Sequence, residues 1–158
     1  MDRDAFSREV WAMRASMLRF AMSRVRRRQD AEDAVQDAVL AAWERLSTLR
    51  DEAQFRTWAM SIVANKCKMA LRRRGREVLP GELPERSEEE DGAAAALWES
   101  VCALPDELRA PIVLHYYEGF KIEEVSAILR VRMGTVAARM SRARNRLRQE
   151  LSEKGESW

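Results

Sequence analysis

Arg130, Arg132, Arg139, Arg142, Arg144, Arg146 and Arg148 crowd into the stretch between Glu124 and Glu150, where no acidic residue intervenes. Fixed positive charge at this density is the footprint of a polyanion-binding surface rather than of a catalytic centre. The residue types that catalysis needs are sparse. His115 is the single histidine, with no second histidine, cysteine pair or nucleophile beside it in a motif, which suits a helix surface or a half-buried position better than acid-base work. Cys67 and Cys102 lie far apart without Cys-x-x-Cys spacing. Neither a metal site nor a disulfide framework is indicated, and both read as reduced, half-buried thiols. No glycine-rich phosphate loop or catalytic motif is present. The expectation is a protein that is not an enzyme and uses no metal or cofactor.

Hydrophobic spacing says what holds the arginines. Val136, Met140, Ala143, Leu147 and Leu151 step by four, three, four and four residues, the buried stripe of a helix from Met133 to about Leu151. At about 100° per residue, Ala138, Ser141, Arg142 and Asn145 fall opposite that stripe. Arg139 and Arg146 lie along one edge, Arg144 and Arg148 along the other. Upstream, residues 121–129 form a short amphipathic helix with Ile122, Val125, Ile128 and Leu129 inward, and residues 130–132 make the turn. This is a helix-turn-helix pattern, whose second helix would face a major groove while the flanking arginines reach phosphates.

The rest of the chain is also helical in pattern. Phe6, Val10, Met13, Met17, Leu18 and Val25 recur at three to four residues and predict a helix over residues 4–27. Asp30 is placed to cap a second helix reaching Leu46, with Asp33 in its first turn and Ala34, Val35, Ala38, Val39, Ala42, Trp43 and Leu46 inward. A third helix over residues 53–74 carries Phe55, Trp58, Ala59, Ile62, Val63 and Leu71 on one side. Trp43 and Trp58 read as core anchors. Between Gly75 and Gly92 the periodicity disappears, and Pro80, Gly81, Pro84 and the run Glu88-Glu89-Glu90-Asp91 suit an extended, solvated linker. Helical spacing returns at residues 93–103 and again at Leu108, Ile112, Val113 and Tyr116, with a bend expected at Pro111 and a stop at Gly119.

The formal net charge of +2 conceals a division: +6 over residues 1–79, −6 over 80–103 and +2 over 104–158. Two cationic modules joined by an acidic, flexible linker are therefore expected, in an all-α fold divided as 1–76, 77–92 and 93–158. No apolar run of about 18 residues and no signal-peptide pattern occurs, which predicts a cytoplasmic protein without membrane insertion.

Two blocks of this sequence resemble the extracytoplasmic-function (ECF) group of bacterial RNA polymerase sigma factors, in matching order and over nearly the whole chain. The first contains Asp30-Ala-Glu-Asp-Ala-Val-Gln-Asp-Ala-Val-Leu-Ala-Ala-Trp43, then Phe55-Arg-Thr-Trp58, Ile62-Val-Ala-Asn65 and Leu71-Arg-Arg-Arg74. The second contains Leu104-Pro-Asp-Glu-Leu-Arg109, Tyr116-Tyr-Glu-Gly119, Glu123-Glu-Val125, Gly134-Thr-Val136 and Ser141-Arg-Ala-Arg144. The resemblance implies a region 2 domain and a region 4 domain. In the first, Glu32, Asp33, Gln36 and Asp37 would dock on the clamp helices of the largest polymerase subunit. Asn65 and the loop over residues 48–54 would hold unstacked bases of the −10 element, and Lys66, Lys68, Arg72, Arg73, Arg74 and Arg76 would contact phosphates. In the second, Arg132, Thr135, Ala138, Arg139, Ser141, Arg142, Asn145 and Arg146 would read the −35 element on a domain that also holds the polymerase flap. An anti-sigma factor is a further implied partner.

Three positions depart from the family pattern. Arg130 stands in the helix-turn-helix turn where the family usually has glycine, Arg132 stands two positions later where it often has proline or serine, and Ala137 stands where it favours a basic residue. If residue 130 has positive φ, a side chain there costs about 1 kcal/mol. Other functional readings stay open from sequence: a helix-turn-helix regulator that binds duplex DNA without polymerase, or a sigma-like mimic that titrates an anti-sigma factor.

Overall fold

The computed structural model describes residues 1–74 and 92–153, and those residues form helices joined by short turns. Helix α1 (Arg3–Val25) starts where the Asp2 carboxylate accepts the Ala5 N–H at 2.8 Å, satisfying one of the orphan donors of the first turn. It stops two residues short of the expected end. Arg26 turns left-handed (φ 67°) and its N–H closes on the Met22 carbonyl.

Helix α2 (Arg28–Glu44) begins before Asp30, so the capping expected of that residue does not occur. Asp30 sits in the first turn and its carboxylate accepts from Arg74 at 2.8 Å. A guanidinium brought in from the end of another helix outcompetes the local backbone for this carboxylate. The buried line of α2 is made of small side chains, Ala31, Ala34, Ala38, Ala41 and Ala42. Val35, Val39 and Leu46 are half-buried at its borders. Trp43, expected in the core, is 46% exposed, with its ring 5.2 Å from Phe6. An alanine-lined contact leaves no slot for an indole, which lies along the edge instead. Short 3₁₀ turns at Leu46–Thr48 and Glu52–Gln54 lead into α3 (Phe55–Arg74). Phe55, Ala59, Ile62 and Val63 are buried there as expected, while Trp58 and Leu71 are half-buried.

The second region comprises α4 (Gly92–Cys102), α5 (Asp106–Ile112), α6 (Ile122–Leu129) and α7 (Met133–Glu153). Pro111 lies within α5, and the chain continues beyond Ile112 as a π-helical segment, Val113–Tyr117, in which the Glu118 N–H reaches the Val113 carbonyl at 3.0 Å. Proline removes one backbone donor and crowds the preceding turn, and a widened turn is one way to absorb that. The extra residue rotates the downstream side chains by about 100°. Tyr116, expected inward, is consequently 56% exposed, and Glu118 is turned into the protein. Gly119 (φ 77°) then stops the helix as expected, letting the Phe120 N–H bond the Leu114 carbonyl at 3.0 Å.

The two regions are not separate bodies among the described residues. α3 packs on α6 and α1 on α5, and one hydrophobic cluster runs from Phe20, Phe55 and Met60 to Val125, Ile128 and Met140. Burying each such side chain contributes about 1.5–3 kcal/mol. The linker expected over 77–92 lies outside the described residues apart from Gly92, which already belongs to α4.

Candidate nucleic-acid and polymerase interfaces

Helix α7 is arranged as its spacing requires. Val136, Met140, Ala143, Leu147 and Leu151 are buried, and Ala138, Ser141, Arg142 and Asn145 are exposed opposite them, Arg142 and Asn145 on the outer face. Arg132 and Arg146 are exposed, and Thr135 and Arg139 are half-buried. Arg144 donates to the Tyr116 hydroxyl at 3.2 Å, which fixes that edge of α7 against the π-helical segment. Arg130 closes α6 in the left-handed region (φ 56°, ψ 44°), the conformation for which glycine would be the unstrained residue.

On α3, Asn65, Lys68 and Arg72 share one face and line a cleft of about 600 Å³ between the regions, opposite Arg130 and Arg139 of the second. The nearest partner of the Asn65 amide is the Met69 sulfur at 3.7 Å, a weak acceptor that leaves the amide available. Lys66 is half-buried and Arg73 exposed. Arg74 is engaged with Asp30, and Arg76 lies outside the described residues. In the loop before α3, the Thr48 hydroxyl donates to the Arg45 carbonyl at 2.7 Å and the Asp51 carboxylate accepts the Ala53 N–H at 3.0 Å, so this segment has its own local order.

The acidic face of α2 is accessible. Glu32 pairs with Arg28 and Asp33 accepts from Gln29, both at 3.0 Å and both one helical turn apart, while Gln36 and Asp37 are exposed. Sequence reasoning missed Leu40, which is 63% exposed. It lies seven, four and three residues beyond Asp33, Gln36 and Asp37, so it continues their face. That interval was legible; an apolar residue in a helical pattern is simply read as core until burial is known.

Remaining candidates for chemistry are structural. Nδ1 of His115 lies 2.7 Å from the Phe120 carbonyl oxygen. Cys67 and Cys102 are fully buried rather than half-buried. Burial pushes the Cys67 thiol up to about 12, with nearby Arg24 opposing the shift and Asp106 adding to it, which makes it inert as a nucleophile at neutral pH. No group of three or more metal-ligating side chains occurs among the described residues, and no described helix is long and apolar enough to cross a membrane.

Two helical regions, one presenting an acidic helix face beside a basic one and the other a helix-turn-helix, define a nucleic-acid-binding adaptor. Residues 12–77 match the family described as Sigma-70 region 2, and residues 94–147 match Sigma-70, region 4. The ECF RNA polymerase sigma factor SigM of Mycobacterium tuberculosis is 33% identical over 151 residues, covering 92% of this chain and 76% of that protein. The RNA polymerase sigma-H factor of Pseudomonas aeruginosa is 29% identical over 162 residues, covering 90% and 84% respectively. Among solved structures, the sigma factor RpoE from Bartonella quintana, in complex with the anti-sigma factor NepR, superposes with a TM-score of 0.81 at 27% identity, covering 94% of this chain and 97% of that one. CnrH, in complex with the cytosolic domain of CnrY, gives 0.72 at 26% identity, covering 96% and 90%. The chain belongs to the sigma-70 family of bacterial RNA polymerase sigma factors, in its ECF group. It is not an enzyme but a subunit that acts through polymerase.

Proposed function

We propose that this chain directs core RNA polymerase to promoters by reading a −10 element with α3 and a −35 element with α7. The functional division runs 1–76, 77–92 and 93–158. The observation that carries the reading is the state of the polar side chains on the two surfaces. Lys68 and Arg72 on α3, and Arg142 and Arg146 on α7, have no carboxylate partner among the described residues, so their charge is available to phosphate. Asn65 on α3 and Asn145 on α7 offer amides that can pair with base edges. Each surface is small. Tethered on one chain and docked on polymerase, the two act at high effective concentration and need no tight affinity of their own.

Docking falls to Glu32, Asp33, Gln36 and Asp37, whose carboxylates and amide suit a basic helical surface on the largest subunit, and to the second region for the flap. An anti-sigma factor is a further partner, as in the complex of the relative RpoE from Bartonella quintana with the anti-sigma factor NepR. Run-off transcription with core polymerase, on the promoter upstream of the chain's own coding sequence, tests the reading. The expected outcome is a discrete transcript that depends on this chain. Tight, specific binding to duplex DNA by the free chain, without stimulation of core, would establish a polymerase-independent regulator instead.

A further inference from the structure

The cleft of about 600 Å³ between α3 and the helix-turn-helix brings three kinds of surface into one enclosure. The first is charge. Lys68 and Arg72 of α3 line it together with Arg130, which closes α6, and Arg139 of α7. None of these cations has a carboxylate partner among the described residues. Asp106 and Glu107 of α5 line it as well. Asp106 is shared by two guanidiniums, Arg24 at 2.9 Å and Arg109 at 3.0 Å, so Glu107 alone is left to oppose the free cations. Burial holds the Arg109 guanidinium below its ordinary value, and Arg26 and Arg24 add to that effect against the pull of Asp106. Cations that repel one another in this way mark a surplus of positive charge.

The second surface is apolar. Leu71 of α3, Leu129 of α6 and Val131 of the turn lie half-buried along the same walls. The third is a single amide. Asn65 is half-buried in the cleft with the Met69 sulfur as its nearest partner at 3.7 Å, so its donor and acceptor are available to a ligand.

These walls are set by the packing of the protein itself. One hydrophobic cluster runs continuously through both regions, and Ile128 from that cluster forms part of the cleft wall. Elsewhere in the junction the Glu118 carboxylate, 1% exposed, accepts from Ser16 at 2.7 Å and from Arg19 at 2.6 Å. A site whose side chains are already positioned loses little entropy when it is filled.

Size and charge together narrow the ligand. A duplex, whose major groove alone is about 12 Å wide, does not fit, whereas cavities of about 300–1,000 Å³ take small molecules. Phosphate is the anion that guanidinium forks and a lysine point charge bind together. The apolar walls and the amide suit a second part that is flat, apolar on its faces and polar at its edge. A purine base has that form, and an amide side chain pairs with adenine through N6 and N7.

We propose that this cleft binds a purine nucleoside di- or triphosphate, with its phosphates on Lys68, Arg72, Arg130 and Arg139 and its base beside Asn65 against the apolar walls. Because the cations come from both regions, the ligand bridges them. Because it is held by charge, its affinity falls as salt rises. The site needs neither polymerase nor promoter, so it stands apart from the promoter-reading function proposed above.

Isothermal titration calorimetry of the full chain with adenosine diphosphate, adenosine and pyrophosphate tests the site. The expected result is saturable, single-site binding of adenosine diphosphate, at least about tenfold tighter than either fragment alone. Lys68→Ala and Arg72→Ala on one wall, and Arg139→Ala on the other, should each weaken it by about tenfold, the effect of losing one charged hydrogen bond. Asn65→Ala should weaken adenosine diphosphate and leave pyrophosphate unchanged. Arg8→Ala, at an exposed position of α1 outside the cleft, should bind as wild type does. Lys68 and Arg72 are exposed, so the fold tolerates their loss, which circular dichroism checks. Absence of saturable binding would overturn the site, and so would an equal loss in Arg8→Ala, the mark of diffuse attraction to a cationic surface. Pyrophosphate binding as tightly as adenosine diphosphate would overturn the assignment of a nucleoside ligand. A loss confined to the variants of one wall would overturn the bridging. A chain that binds adenosine diphosphate but gives no run-off transcript keeps this site and loses the promoter-reading function; the reverse result removes only the site.

Discussion

Arg130 concentrates the tension between local chemistry and function in a single residue. It is left-handed at the end of α6, and the Cβ of a non-glycine residue crowds the following carbonyl there at a cost of about 1–2 kcal/mol. Its side chain lines the cleft beside Arg139. Replacing Arg130 with glycine should raise the melting temperature by about 2–4 °C per kcal/mol of strain relieved, as read by thermal denaturation. A lower melting temperature would mean that the side chain contributes more through contact than it costs through strain. The position of the turn was legible from the apolar spacing on either side of it. Why an arginine occupies it was not, because residue 130 meets α3 only once the two regions have packed.

At the scale of elements, spacing located every long helix and failed where side-chain size or a tertiary partner decides the detail. α2 illustrates both outcomes. Its amphipathic character was readable, but the alanine-lined contact excludes Trp43, and Asp30 answers to Arg74 rather than to its own helix end. The face left over carries Asp33, Gln36, Asp37 and Leu40. Reversing Asp33 and Asp37 to lysine, or changing Leu40 to aspartate, should weaken competition for core polymerase by about tenfold or more, equivalent to about 1.4 kcal/mol. Helix content should be unchanged, since exposed charges contribute more to partner affinity than to stability. A variant that competes as well as wild type removes its residue from the docking face. In α5, Pro111 announced a bend, but the widened turn after it altered the register of the residues downstream, which is why Tyr116 and Glu118 exchange the positions that uniform helical spacing assigns.

At the scale of the molecule, the junction between regions should leave a signature in acid. Glu124 is held below the usual carboxylate range, first by the Lys121 N–H that it accepts and, against some burial, by the Thr57 hydroxyl across the junction. A depressed carboxylate binds its proton more readily in the unfolded chain. Its stabilisation is therefore present above the ordinary value of 4.5 and is lost as pH falls through the folded value. Melting temperature followed from neutrality to about pH 3 should accordingly fall less steeply for Glu124→Gln than for wild type. Parallel curves would show that Glu124 does not couple folding to protons.

What the sequence by itself determined is the set of properties that near neighbours along the chain specify. These are the helices, the helix-turn-helix with its buried stripe, the arginine-rich outer face, and the two blocks that carry the family. Each depends on intervals of three, four or seven residues, which the geometry of a helix fixes before any packing occurs. The tertiary structure alone decided which charges are spent within the molecule. Arg19, Arg24, Arg56 and Arg74 look no different in sequence from Arg72 or Arg142, yet the first four are matched to acceptors distant in the chain. A guanidinium is long and takes any well-placed oxygen, so its partner depends on where a distant helix comes to rest. For the same reason Glu118, at the centre of the junction, is one acid among many until α1 closes over it.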